Sequence, residues 1–122
     1  MEELDLGTNV IEDFRGCSID RNVLRGVTKK FGYRRGETID GPMFFDYRKS
    51  FPTMRLEVRI EISGQDVDDY SGAVELDGLT FYQTPESAGS DRGPRQLTLA
   101  EVPAILLLES FRDFRKIAEA GE

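Results

Sequence analysis

The chain has 122 residues, of which 39% are hydrophobic and 32% charged, and its formal net charge is −7. That length suits one domain, and the apolar residues fall in periodic runs, which excludes a disordered composition. Histidine is absent and there is one cysteine. These two facts exclude Ser–His and Cys–His nucleophile pairs, ordinary zinc or iron sites and an internal disulfide.

The charge is unevenly spread. Residues 14 to 59 hold 11 Lys or Arg against 5 Asp or Glu, a net of +6. Residues 1 to 13 carry −5, and residues 60 to 122 carry −8. Such an acidic total disfavours general nucleic-acid binding, while leaving room for it at a local basic patch. The acidic start MEELDLGTNVIEDF does not have the form of a signal peptide. The longest apolar run, Val102 to Leu108, is far short of the ~20 residues needed to span a bilayer. The expectation is a cytoplasmic protein without a membrane partner.

Residues 1 to 16 are weakly patterned and read as an irregular lead-in, with a short strand around Val10 and Ile11. A single domain is expected over 17–120. Its first helix is capped by Ser18 or Asp20. Ile19, Val23, Leu24, Val27 and Phe31 share about 140° of helical arc, and Gly32 closes the helix. Gly26, at a cost of about 1 kcal/mol, reads as a close-packing point. A turn-rich stretch, 34 to 42, leads into a strand over 43 to 51. There Phe45, Tyr47 and Lys49 alternate with Phe44, Asp46 and Arg48.

The clearest strand is 54 to 62. Met54, Leu56, Val58, Ile60 and Ile62 fall on one face; Arg55, Glu57, Arg59 and Glu61 fall on the other. This is the pattern of an antiparallel sheet covered on one side. Pro52 and Thr53 join the two strands as a hairpin. After a polar loop, 63 to 72, come Ala73–Leu76 and Leu79–Gln83. Asp77-Gly78 between them is either a hairpin turn or a bulge in one longer strand. A second loop covers 84 to 95.

Thr98 and Glu101 have capping-box spacing, and Pro103 suits a first helical turn. The closing helix buries Leu107, Leu108, Phe111, Phe114 and Ala118. It exposes Glu109, Arg112, Asp113 and Lys116, with Ile105 and Leu106 on the flanks. The fold class is therefore α+β: an N-terminal helix, an antiparallel meander of three to four strands, and a C-terminal helix packed on one face of the sheet.

Two groups of side chains are candidate binding surfaces. Arg21, Arg25 and Lys29 lie at i, i+4, i+8 on the first helix. Arg34 and Arg35 follow it, Arg48 and Lys49 sit on the next strand, and Tyr33 and Tyr47 are near in sequence. This set suits a phosphate, a carboxylate-rich partner or a nucleic acid; its bland alternative is a solvated face. The other group is acidic: Asp66, Asp68, Asp69 and Glu75. Asp66, Asp68 and Asp77 fit three positions of a calcium loop, but Ser71 stands where such a loop needs Gly. The expectation is no metal and no cofactor. Cys17, just before the first helix, reads as an ordinary thiol unless the helix N-terminus activates it.

The stretch RGVTKKFGYRRGETIDGPMFFDYRKSF, residues 25 to 51, resembles the pattern L-x-x-x-G-W-x-R-G-x-x-x-D-x-G … Y-x-K-x-F. That pattern belongs to a bacterial family of unknown function found beside WGR domains, in molybdate-metabolism-regulator-like proteins. Gly32, Arg35, Gly36, Asp40, Tyr47, Lys49 and Phe51 match, with Tyr33 in place of Trp. Glu109, Arg112 and Asp113 match the family's closing S-E-x-x-R-D-L-like stretch, with Leu108 for Ser and Phe114 for Leu. The resemblance spans about residues 20 to 118, the C-terminal region of the longer members. It implies a bacterial module and a fold, not a reaction. Together these readings suggest a non-enzymatic, protein-binding module that uses the basic patch. The alternative is a small immunity or antitoxin-like protein whose acidic group blocks a basic toxin surface.

Overall fold

A computed structural model describes residues 14–36, 44–64, 72–85 and 93–121. In chain order the elements are β1 (Ser18–Asp20), α1 (Arg21–Lys30), β2 (Arg34–Arg35), β3 (Phe44–Phe51), β4 (Leu56–Ser63), β5 (Ala73–Gln83), β6 (Arg95–Leu97) and α2 (Ala104–Ala120). Short 3-10 turns sit at Pro52–Met54 and Leu99–Glu101. The class is α+β, with, among the described residues, the helices α1 and α2 on an antiparallel sheet whose strand order is β1-β5-β4-β3-β2. Strand β6 pairs with the far end of β5, on residues 81 to 83, while β1 holds residues 73 to 75. The sheet thus has six strands rather than three or four.

Strand β4 follows its alternation. Leu56, Val58, Ile60 and Ile62 are all buried, and the residues between them are half-buried. The register with β3 places Phe45, Tyr47, Lys49 and Phe51 opposite those four, on the same inner face. Both helices lie against that face. Asp113 of α2 reaches Lys49 at 3.5 Å, and Arg25 of α1 stands near enough to the Tyr47 hydroxyl to lower its pKa. One core results, centred on Leu24, Ile60, Phe81 and Phe114.

Several side-chain expectations need correction. Met54 lies in the 3-10 turn and is exposed, because Arg55 adopts a left-handed conformation that resets the strand at Leu56. Asp77-Gly78 is not a hairpin: β5 runs straight through, with a bulge where Glu61 faces Gly78 and Ile62 faces Leu76. Asp20, not Ser18, caps α1, accepting from the Asn22 and Val23 amides at 2.9 and 3.2 Å. That cap fixes the helix so that Arg21, Leu24 and Thr28 point inward and Val23 outward. Burying Thr28 is tolerated because its hydroxyl donates to the Leu24 carbonyl at 2.6 Å. Gly26 faces open space and is not a packing point.

On α2 the buried stripe includes Leu106 and Asp113, and Leu108 is exposed. The Thr98–Glu101 capping box closes the 3-10 turn, and α2 begins at Ala104. Ile105 is 74% exposed. The expected strand at Val10 and Ile11 lies outside the described residues.

Candidate functional site

The Asp20 cap determines where the first basic side chain of α1 stands. Arg21 opens the helix, and Arg25 and Lys29 follow one and two turns later along the same side. Local rules argue against this arrangement. Like charges four apart on a helix repel, and a cation at a helix N-terminus opposes the dipole. The first turn contains no acidic residue. Gly32, at φ +88°, then turns the chain. Tyr33 is drawn into the core as its amide donates to the Thr28 carbonyl at 3.0 Å. The chain emerges as β2, whose Arg34 and Arg35 lie opposite Arg48 and Tyr47.

Between α1 and β2 runs a groove of about 560 Å³. The groove is lined by Arg21, Arg25 and Lys29 from α1, by Arg35 and Tyr47 on the inner face of the sheet, by Tyr33, and at its rim by Arg34. Five of the seven basic residues singled out from the sequence therefore converge, and among the described residues no carboxylate lines the groove.

The cations differ in their surroundings. Arg21 is buried, at 5% exposure. The Arg35 guanidinium lies 4.5 Å over the Phe45 ring, so this arginine is also part of the packing. Lys29 and Arg34 are exposed and, among the described residues, form no ion pair. Burial raises the Tyr47 hydroxyl above its usual pKa, and Arg35, Arg25 and Arg21 pull it partly back. Tyr33 is raised further by burial, with Asp113 and Glu109 adding to the effect. Its hydroxyl is buried near Ser110 without reaching hydrogen-bond geometry to any partner. Both phenols stay protonated at neutral pH and offer no base.

The other two basic candidates are placed elsewhere. Lys49 points into the fold, 3.5 Å from Asp113 and 3.6 Å from Glu109 of α2. Its ammonium also lies 5.6 Å from the Tyr33 ring centroid and 5.5 Å from that of Phe51. Burial raises the Asp113 carboxyl above its usual pKa, and Lys49 offsets part of that shift. Arg48 lies on the outer face, bonded to Asp46 at 2.8 Å. It lines a second cleft, of about 540 Å³, which meets the first at Gly32, Arg34 and Arg35. Gly36 leaves room there for the side chains of that pair. A Cβ on it would strike the Asp46 carboxylate and the Arg48 guanidinium.

Glu75 is exposed on β5, opposite Ser18; Asp66, Asp68 and Asp69 lie outside the described residues. Cys17 is half-buried against the core, and its carbonyl accepts from the Leu76 amide at 3.0 Å. Among the described residues no three His, Cys, Asp or Glu side chains gather in a metal-holding group, and no helix is long and apolar enough to cross a membrane.

Sequence reading missed the sheet's part in this site. Arg34 stands directly across from Arg48, and Arg48 across from Arg59. Like charges in directly opposed positions are destabilising. Only the pairing register shows this row, and it places Arg34 on the rim between the two clefts. No protein-family model matches the chain, and no curated protein matches it.

Proposed function

We propose that the protein is a non-enzymatic binding module that accepts an anionic group of a protein partner in the groove between α1 and β2. The observation that carries this is the convergence of Arg21, Arg25, Lys29, Arg34 and Arg35 on one cavity without a lining carboxylate among the described residues. A groove lined by cations from both helix and sheet concentrates an anion's field, and guanidinium groups bind carboxylate or phosphate through paired hydrogen bonds. Gly32, Arg35 and Tyr47, three of the residues behind the resemblance to the WGR-associated family, line this groove.

The test is a ¹⁵N chemical-shift titration of the full chain with inorganic phosphate. Saturable shifts centred on the amides of Arg25, Lys29 and Arg34 are expected. They should vanish in the double variant Lys29→Glu, Arg34→Glu, with the melting temperature unchanged. Shifts that are non-saturating, or scattered over the surface, would remove the groove from consideration. Reversing Arg35 is less suitable as a test, because that change also breaks the contact with Phe45.

A further inference from the structure

We infer that Phe45 is the positioning residue of the anion groove and acts through Arg35. This rests on the groove being an anion site, and it adds a residue that sets one of the site's guanidinium groups before an anion arrives. Phe45 is not itself one of the lining side chains. The Arg35 guanidinium lies over its ring, 4.5 Å from the centroid.

The contact joins water to core. Arg35 is exposed, whereas Phe45 is 3% exposed. An exposed arginine samples many rotamers, and a ligand that orders it loses affinity to that entropy. Held against a fixed ring, the guanidinium has given up part of this freedom on folding, so less is lost on binding. The ring offers no hydrogen-bond acceptor and therefore orients Arg35 without consuming an N–H donor. A lysine at this position would lack the planar group that lies against a ring and forks onto an oxyanion.

Phe45 is fixed from two sides. The register sets it opposite Ile62 in the core, and the Tyr47 ring meets it edge-on at 6.1 Å and 69°. Tyr47 lies directly opposite Arg35 across the β2–β3 pair and lines the groove. One buried ring thus contacts both Arg35 and Tyr47. Arg34, the neighbouring arginine, stands opposite a cation, Arg48, and has no ring contact among the described residues. The two arginines of β2 form an internal comparison.

Two measurements on the full chain test this. The first is ¹⁵N relaxation of the arginine Nε–H groups without phosphate. Arg35 Nε should be clearly more ordered than Arg34 Nε. Equal mobility overturns the inference, and this arm needs no variant, so it decides even where Phe45→Leu does not fold. The second is a phosphate titration of the wild type, Phe45→Leu, Arg35→Lys and the double variant, followed at the Lys29 amide. Phe45→Leu should weaken phosphate about fivefold, the scale of immobilising one long side chain. It should also loosen Arg35 Nε to the level of Arg34 Nε. The double variant should bind no more weakly than Arg35→Lys alone. A general loosening of the core would instead weaken both backgrounds by the same factor. That additive result overturns the inference, as does wild-type affinity in Phe45→Leu, and in either case the anion site stands. Without saturable phosphate shifts in the wild type, the anion site falls and the positioning role falls with it.

Discussion

The cations of the sheet and those of the groove differ in their surroundings. On the outer face of the sheet, Arg48 and Arg59 are each neutralised two residues away on their own strand, by Asp46 at 2.8 Å and Glu57 at 2.6 Å. Arg59 also lies 4.0 Å over the Tyr82 ring. Lys49, facing inward, has two carboxylates within 3.6 Å. Along the groove, Lys29 and Arg34 have no such neighbour among the described residues. The same residue types therefore serve two ends. Where a cation belongs to the architecture, the chain supplies the counter-charge locally. On the proposed reading, Lys29 and Arg34 leave that role to another molecule.

The largest effect expected from this contrast is at Lys49. Lys49→Met leaves Asp113 buried without its cation, and removing one partner of a buried pair costs about 3–5 kcal/mol. Lys49 keeps 20% side-chain exposure, so the loss at pH 7 should be about 2–3 kcal/mol by urea unfolding. The sign of its pH dependence follows from Asp113. A carboxyl whose pKa is raised in the folded state favours folding below its unfolded value of 3.8, and that contribution is lost as pH rises through the folded value. Without Lys49 the folded value rises further. The deficit of the variant should therefore shrink on acidification towards pH 4, and a deficit independent of pH would show that packing, not charge, holds Lys49.

A smaller effect is expected where the two sets of cations meet. Gly36→Ala forces the Asp46–Arg48 pair apart, and a charge-assisted hydrogen bond contributes about 1.5–3 kcal/mol. Partial relaxation of the Arg48 side chain should limit the loss to about 1–2 kcal/mol, read as a lower urea midpoint. The smallest effect belongs to the groove. Lys29→Gln and Arg34→Gln should each change stability by less than about 0.5 kcal/mol, with a slight gain from relieved repulsion. If either costs more than about 1 kcal/mol, that cation is structural and the contrast fails.

Much of this was legible beforehand, and the failures have physical reasons. Strand β4 announced itself because four apolar side chains on one parity leave only one way to face a core. The basic row of α1 was legible because four-residue spacing is fixed by the helix itself. Strands β1, β2 and β6, of two or three residues, are too short to show any period and exist through their partners. Val23, expected on the apolar face, is exposed because the Asp20 cap, not hydrophobicity, sets the rotation of α1, and Thr28 takes an inward place through its hydroxyl-to-carbonyl bond. Lys49 was legible in principle, since it shares parity with Phe45 and Tyr47. Its charge led to its being grouped with the surface patch, and its buried counter-ion Asp113 is 64 residues away.

The two margins of the sheet are guarded by different means. On one side β1 and β6 divide the length of β5 between them, and the bulge at Gly78 breaks the run that remains. On the other, among the described residues, β2 pairs with two residues of β3 and carries two arginines. The first guard is steric and indifferent to the solvent. The second is electrostatic and fades as ions accumulate. At high ionic strength, self-association through strand pairing should therefore begin at the arginine-bearing margin, while the margin shared by β1 and β6 remains closed.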